Sequence, residues 1–313
     1  MALKLAQFAF LVLSAPLVRG IIARLKAVLQ RRRGASVWRP YAELGKLFRK
    51  EDLAPTSASW LFRAAPRMAF AITMTAAAFV PVISAAGMIS FNGDFILLVY
   101  LLAFGRFLLM LGGFDSGSSF GGMGGSREAM VSVLAEAPLV LSLMALALAA
   151  KSSSLAAIVA WTGVQNFFNI SVVHVLALTS LLFVAIAETG RMPVDNPTTH
   201  LELTMLHEAM VLEYSGPSLA FVEWAHAIKL NLLAGLLVAL FAPWGIATSW
   251  TLGAIALSLV LYVLKLAVAI AAIALLESCV AKLRMYAVPE FFGIATALSI
   301  LAVVFTVIMR RQP

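Results

Sequence analysis

Long apolar runs separated by short polar punctuation govern the reading of this chain. Apolar residues fill stretches near 3–22, 68–90, 94–113, 128–150, 169–187, 218–243, 250–275 and 288–309. Crossing ~30 Å of hydrocarbon takes ~20 helical residues at ~1.5 Å each. The runs are continuous, whereas barrel strands are short and alternate. The pattern predicts an all-α polytopic membrane protein, a single transmembrane domain over 1–313 with about eight transmembrane helices. Basic residues follow the first run directly, so it reads as a retained helix and not a signal peptide. Pro81 falls inside the second run and predicts a kink there. Residues 151–168, where Lys151 and three serines precede an apolar piece ending at Trp161, predict an external loop with a surface helix.

Charge orients these segments. Residues 23–67 hold eleven of the 23 Lys and Arg. Short loops rich in Lys and Arg stay cytoplasmic. That rule makes 23–67, 114–127, 188–217 and 276–287 the inner loops and puts the N-terminus outside. Arg127, Arg191, Lys282 and Arg284 agree, Lys151 is the sole basic residue of the outer loops, and Arg310 and Arg311 are exceptions. Within the first loop, Tyr41, Leu44, Leu47 and Phe48 recur at helical spacing opposite Glu43, Lys46, Arg49 and Lys50. This predicts an amphipathic interfacial helix near 41–50, either a headgroup anchor or a docking ledge for a peripheral partner. With 62% apolar and 12% charged residues, the net charge of +8 records topology and not nucleic-acid binding. A lone Cys279 excludes an internal disulfide and any multi-cysteine metal or iron–sulfur site.

Against this apolar background, 188–216 gathers acids. Glu188, Asp195, Glu202, Glu208 and Glu213 lie within it and Glu223 just beyond, in company with Arg191, His200, His207 and His226. Ionisable groups at or inside a bilayer are costly and mark function. Pro193 and Pro197 predict a stiff loop, and Thr198 or Thr199 a cap for a helix starting near 200. On that helix Glu202 and Glu213, three turns apart, would share a face. Glu136, inside the fourth span, is either protonated or turned to a polar cavity or a neighbouring helix. Glu277, Lys282 and Arg284 close the seventh span as a mixed-sign cluster or a solvated helix end. The chain lacks Glu-x-x-His and His-Glu-x-x-His patterns, so no metal, cofactor or catalytic residue is assigned. Carboxylates with histidines near an interface suit a proton relay, and they equally suit binding of a partner's basic loops.

The wording of 188–216, above all VDNPTTHLELTMLHEAMVLEYSG, resembles the membrane subunit that anchors the hydrophilic arm in respiratory complex I and in membrane-bound nickel–iron hydrogenases. The loop containing Gln30, Arg31, Arg33 and Gly34, the KLFRKEDLAP stretch with Lys46, Lys50, Glu51 and Asp52, and DSGSSFGGMGGSRE at 115–128 carry the same likeness. It is nearest to the formate hydrogenlyase and hydrogenase-4 branch. Ala23 and Ala35 stand where complex I subunits carry an acidic residue and a proline, departures that bear on quinone binding. The resemblance implies a membrane subunit of a hydrogenase-type oxidoreductase complex in a bacterial or archaeal cytoplasmic membrane. It implies nickel–iron and iron–sulfur centres in peripheral large and small subunits, antiporter-like membrane neighbours, and no redox centre here. Glu136, Glu188, Arg191, Asp195, Glu202, His207, Glu208, Glu213, Glu223 and Glu277 become candidates for a proton path or partner interface. Arg31, Arg33, Lys46, Lys50, Glu51 and Asp52 become the candidate docking loop. Two alternatives stay open: the quinone-chamber subunit of a complex I-like NADH dehydrogenase, and a standalone ion or proton transporter. The absence of a convincing internal repeat counts against the transporter.

Overall fold

The structure is a computed structural model and describes residues 2–164, 171–195, 207–247, 251–284 and 287–311. These residues form eleven helices. α1 (Ala2–Leu29), α4 (Asp94–Asp115), α5 (Ser119–Ala150), α9 (Gly216–Phe241), α10 (Leu252–Cys279) and α11 (Val288–Arg311) correspond to the six that are long and apolar enough to cross a bilayer. α3 (Trp60–Ala77) and α7 (Val172–Glu188) complete a bundle of eight. α2 (Arg39–Leu47), α6 (Leu155–Val164) and α8 (His207–Val211) are shorter.

Local chemistry sets the helix starts. Ser59 accepts from Leu61 N, Ser118 from Gly121 N, Ser171 from Val173 N and Thr251 from Ala254 N, so each side-chain oxygen occupies one orphan donor of the first turn. Pro40 and Pro217 sit where a missing N–H costs nothing. Pro16 lies inside α1, and neighbouring carbonyls find outside partners: Leu11 O accepts Asn231 Nδ2 at 2.7 Å, and Leu13 O accepts the Tyr41 hydroxyl.

The second predicted span is displaced. α3 starts at Trp60 and ends at Ala77, so Pro81 lies outside any helix and kinks none. Residues 78–83 continue as buried non-helical chain, with Gln7 Oε1 accepting from the backbone of Ile83 and Ser84. The predicted surface helix also differs. α6 turns Leu155, Ile158 and Val159 fully inward, because Asp94 accepts the Leu155 N–H at 2.6 Å and pulls the segment against the bundle. The helix predicted near 200 ends at Val211, leaving Glu213 outside it; Glu202 lies outside the described residues.

Contacts sort the helix ends into two groups. Ser59 with Asp115, Leu53 with Ser215, and Leu283 N with Pro193 O join one end, which carries the basic loops. Gly93 N with Ser153 O, and Ala247 N with Ile83 O, join the other. α9 runs through the centre, with Leu232, Leu236 and Leu240 almost wholly buried, while α10 and α11 present Val260, Val268, Ile294 and Ile300 outward. Outward apolar side chains are what lipid-facing helices require.

Candidate functional site

The polar interior is built where α4, α5, α7 and α9 approach one another. Glu188 is the last residue of α7 and its side chain is fully enclosed. Arg106 from α4 reaches one oxygen at 2.5 Å, and Lys229 from α9 reaches the other at 2.6 Å. Arg106 also lies 3.7 Å from Glu136 of α5, which accepts a hydrogen bond from Ser132 at 3.4 Å. Two carboxylates thus face two cations, the arrangement that lets charge persist in an apolar interior.

A second group lies nearer the basic end. Glu277 receives Arg191 at 2.5 Å and Lys26 at 2.7 Å and is itself buried. The solvated-end reading of this cluster therefore fails for Glu277, since α1 and the 189–195 turn close over it. Lys282 binds Asp195 at 2.8 Å, and Arg19 binds Glu223.

The two groups border two spaces. A narrow cavity, with about 40 Å³ open to water centres, is walled by Arg106, Glu128, Glu188 and Lys229. One water needs roughly 10–15 Å³ by that measure, so it admits a few. A wide cleft of about 520 Å³ opens at the basic end between Arg19, Lys26, Arg191, Glu208, Glu223 and Glu277. Gly190, His207 and His226 line both. The two imidazole rings lie 4.7 Å apart between centroids. His226 Nε2 is 3.1 Å from the Thr189 carbonyl. A carbonyl can only accept, so Nε2 carries the proton there and Nδ1 is left as an acceptor.

Of the predicted residues, Glu188, Arg191, Asp195, His207, Glu208, Glu223 and Glu277 line these two spaces, and Glu136 lines neither but approaches Arg106. Glu213 borders neither. In the candidate docking loop, Arg31, Arg33, Lys46, Lys50, Glu51 and Asp52 are all exposed. Asp52 also accepts from Ser218 at 2.8 Å and meets Arg67 at 3.5 Å, and Leu53 N donates to Ser215, so the end of this stretch is tied to the start of α9. Sequence reasoning missed Arg19, Arg106 and Lys229. Arg106 and Lys229 are each the single Lys or Arg of an apolar run, and Arg19 lies deep in a run whose other cation, Lys4, is near its start. A charge inside a span needs a partner, and that was itself the available signal. Among the described residues no group of three or more His, Cys, Asp or Glu is arranged to hold a metal ion.

A multi-span helical bundle with a charge-paired polar interior opening to one end is the class that fold and site define. The sequence model of the NADH dehydrogenase family matches residues 3–307, and the chain belongs to that family. It is 34% identical over 301 residues to hydrogenase-4 component C of Escherichia coli, covering 96% of this chain and 94% of that protein. It is also 34% identical over 285 residues to formate hydrogenlyase subunit 4 of the same organism, covering 90% and 92%. Among solved structures, a chain of the membrane-bound sulfane sulfur reductase, an archaeal respiratory membrane complex, superposes with a TM-score of 0.81. That match covers 97% of this chain and 98% of the other at 20% identity, and it speaks for the fold.

Proposed function

We propose that this chain is the membrane subunit of a hydrogenase-type oxidoreductase complex, holding a peripheral redox arm at its basic end and carrying protons between that arm and the bundle interior. Similarity to the hydrogenase-4 and formate hydrogenlyase subunits along nearly the whole chain supports the first part. The observation that carries the second is the pair His207 and His226, which line both the wide cleft and the buried cavity. A proton entering the cleft passes among Glu208, Glu223 and the two imidazoles. His226 Nδ1 accepts it, and water in the narrow cavity hands it towards Glu188 and Lys229, with Arg106 and Glu136 beyond. An imidazole suits this task because it can take a proton on one ring nitrogen and release one from the other. The exposed Arg31 and Arg33 offer docking contacts to acidic surface on the arm. The oxidation and reduction would occur in partner subunits carrying nickel–iron and iron–sulfur centres, on the cytoplasmic side.

The test is purification of the native assembly in mild detergent, with nickel and iron assayed in the same sample and subunits identified. Nickel with iron–sulfur subunits supports the anchor reading; a chain purified alone and metal-free defeats it. In vesicles containing the assembly, His226→Phe should abolish turnover-linked acidification while the complex stays assembled. Unchanged acidification would sink the relay.

A further inference from the structure

Helix α2 contains no buried residue, yet it is pinned at both ends. Its first turn is held by the Tyr41 hydroxyl, which donates to Leu13 O of α1. Just past its last turn, the Phe48 ring meets Phe221 and Trp224 of α9 at centroid distances of 5.4 and 6.4 Å. Between these pins the helix stands off from α1 and α9 and leaves a crevice with about 310 Å³ open to water centres. Pro16, Leu44, Leu47, Leu219 and Ala227 form its apolar wall.

The charges at its rim do not cancel. Glu43 is engaged by Arg39 at 2.6 Å and Glu223 by Arg19. Lys46, in the last turn of α2, and Lys50, three residues past its end, also line the crevice. Both are exposed, and neither meets a carboxylate within salt-bridge distance among the described residues. Two free ammonium groups thus stand over an apolar slot beside a bilayer-spanning helix whose neighbouring Leu13 is 60% exposed.

We propose that this crevice is a binding site for one anionic phospholipid. The phosphate lies between Lys46 and Lys50, and the acyl chains run along Pro16, Leu219 and Ala227 towards the hydrocarbon layer. Charge complementarity selects this occupant. Basic residues at an interface attract anionic headgroups, and an amphipathic helix in the interface plane places Lys46, with Lys50 just past the helix end, at phosphate depth. An uncharged quinone ring would use the apolar wall and leave both ammonium groups unanswered. The bound lipid would fill the gap under α2 and so brace the basic loop that follows α1.

The experiment is native mass spectrometry of the protein in its purified assembly, stripped of lipid in detergent and titrated with phosphatidylglycerol or phosphatidylcholine. Wild type should retain one more phosphatidylglycerol than the Lys46→Gln/Lys50→Gln pair, and should bind phosphatidylcholine at that site at least ten-fold more weakly. Lys46→Arg/Lys50→Arg should restore retention, since it keeps the charge. Both lysines are exposed, so the variants are expected to fold, and native electrophoresis checks that the assembly is retained. Equal phosphatidylglycerol retention in the glutamine pair overturns the proposal, as does equal retention of the two lipids. Binding of a short-chain ubiquinone analogue that is lost in Leu44→Trp/Leu47→Trp but indifferent to the lysines, without any preference for phosphatidylglycerol, would assign the crevice to a quinone instead.

Discussion

Arg106 of α4 and Glu188 of α7 meet at 2.5 Å with their side chains 6% and 0% exposed. Lys229 occupies the second carboxylate oxygen, so one anion joins three helices. Removing that anion leaves two cations facing each other where water scarcely enters. Breaking a buried pair from one side typically costs about 3–5 kcal/mol, because the stranded charge stays desolvated. Glu188→Gln should therefore lower the melting temperature of the detergent-solubilised protein clearly, and Glu188→Gln/Lys229→Met should recover part of the loss. Unfolding monitored by scanning fluorimetry decides it. An unchanged melting temperature in the single variant would contradict the pairing.

Glu277 bridges Lys26 of α1 and Arg191 of the turn after α7. Residues sharing one ion-pair network couple by roughly 0.5–3 kcal/mol in a double-mutant cycle. Lys26→Met and Glu277→Gln should each destabilise, with a coupling term inside that range. Strict additivity in denaturant unfolding would mean that Lys26 and Glu277 do not interact in solution.

Much of this architecture was legible because full-length apolar runs have few other uses. Where the sequence misled, the cause is local. The apolar run continued through residues 78–90, yet the Ser59 cap starts α3 early and the helix carries Arg63 and Arg67, which a hydropathy reading discards. The acids at 188–223 announced a site, but their partners did not. Arg106, Lys229 and Lys26 lie far away in sequence from Glu188 and Glu277, and only the packing of α1, α4 and α9 against α7 and α10 brings them together. Periodicity reports which face of a helix is apolar; it carries no information on which lone charges meet across helices.

Tyr214 gives a pH prediction. It stacks on Phe62 with ring centroids 4.2 Å apart, and burial, reinforced by nearby Asp115, pushes its phenol above the usual tyrosine range. A raised folded value means that the folded protein keeps a proton the unfolded chain releases. This contribution to stability is complete below the unfolded phenol value near 10 and is lost as pH rises above it. Stability of the wild type should thus decline more steeply above pH ~10 than that of Tyr214→Phe, with the two alike at neutral pH. Urea unfolding at both pH values tests this, and parallel alkaline declines would refute it.

The seating of α8 depends on having no side chain at Gly124. A Cβ there would come within 2.9 Å of both Ala209 Cβ and Met210 N, and backbone cannot yield as a flexible side chain does. Gly122, on the same helix, has open space around the same position. Overpacking a tight seam costs typically about 1–3 kcal/mol, whereas Gly→Ala in a helix with room gains up to about 1 kcal/mol. Gly124→Val should therefore destabilise the protein and push α8 outward, carrying His207 away from His226. Gly122→Ala should hold or raise stability. If the proposed relay runs through those imidazoles, Gly124→Val should also lose acidification by vesicles at temperatures where the assembly is intact, and Gly122→Ala should not. A Gly124→Val protein that melts like wild type would show that α8 does not rest on that seam.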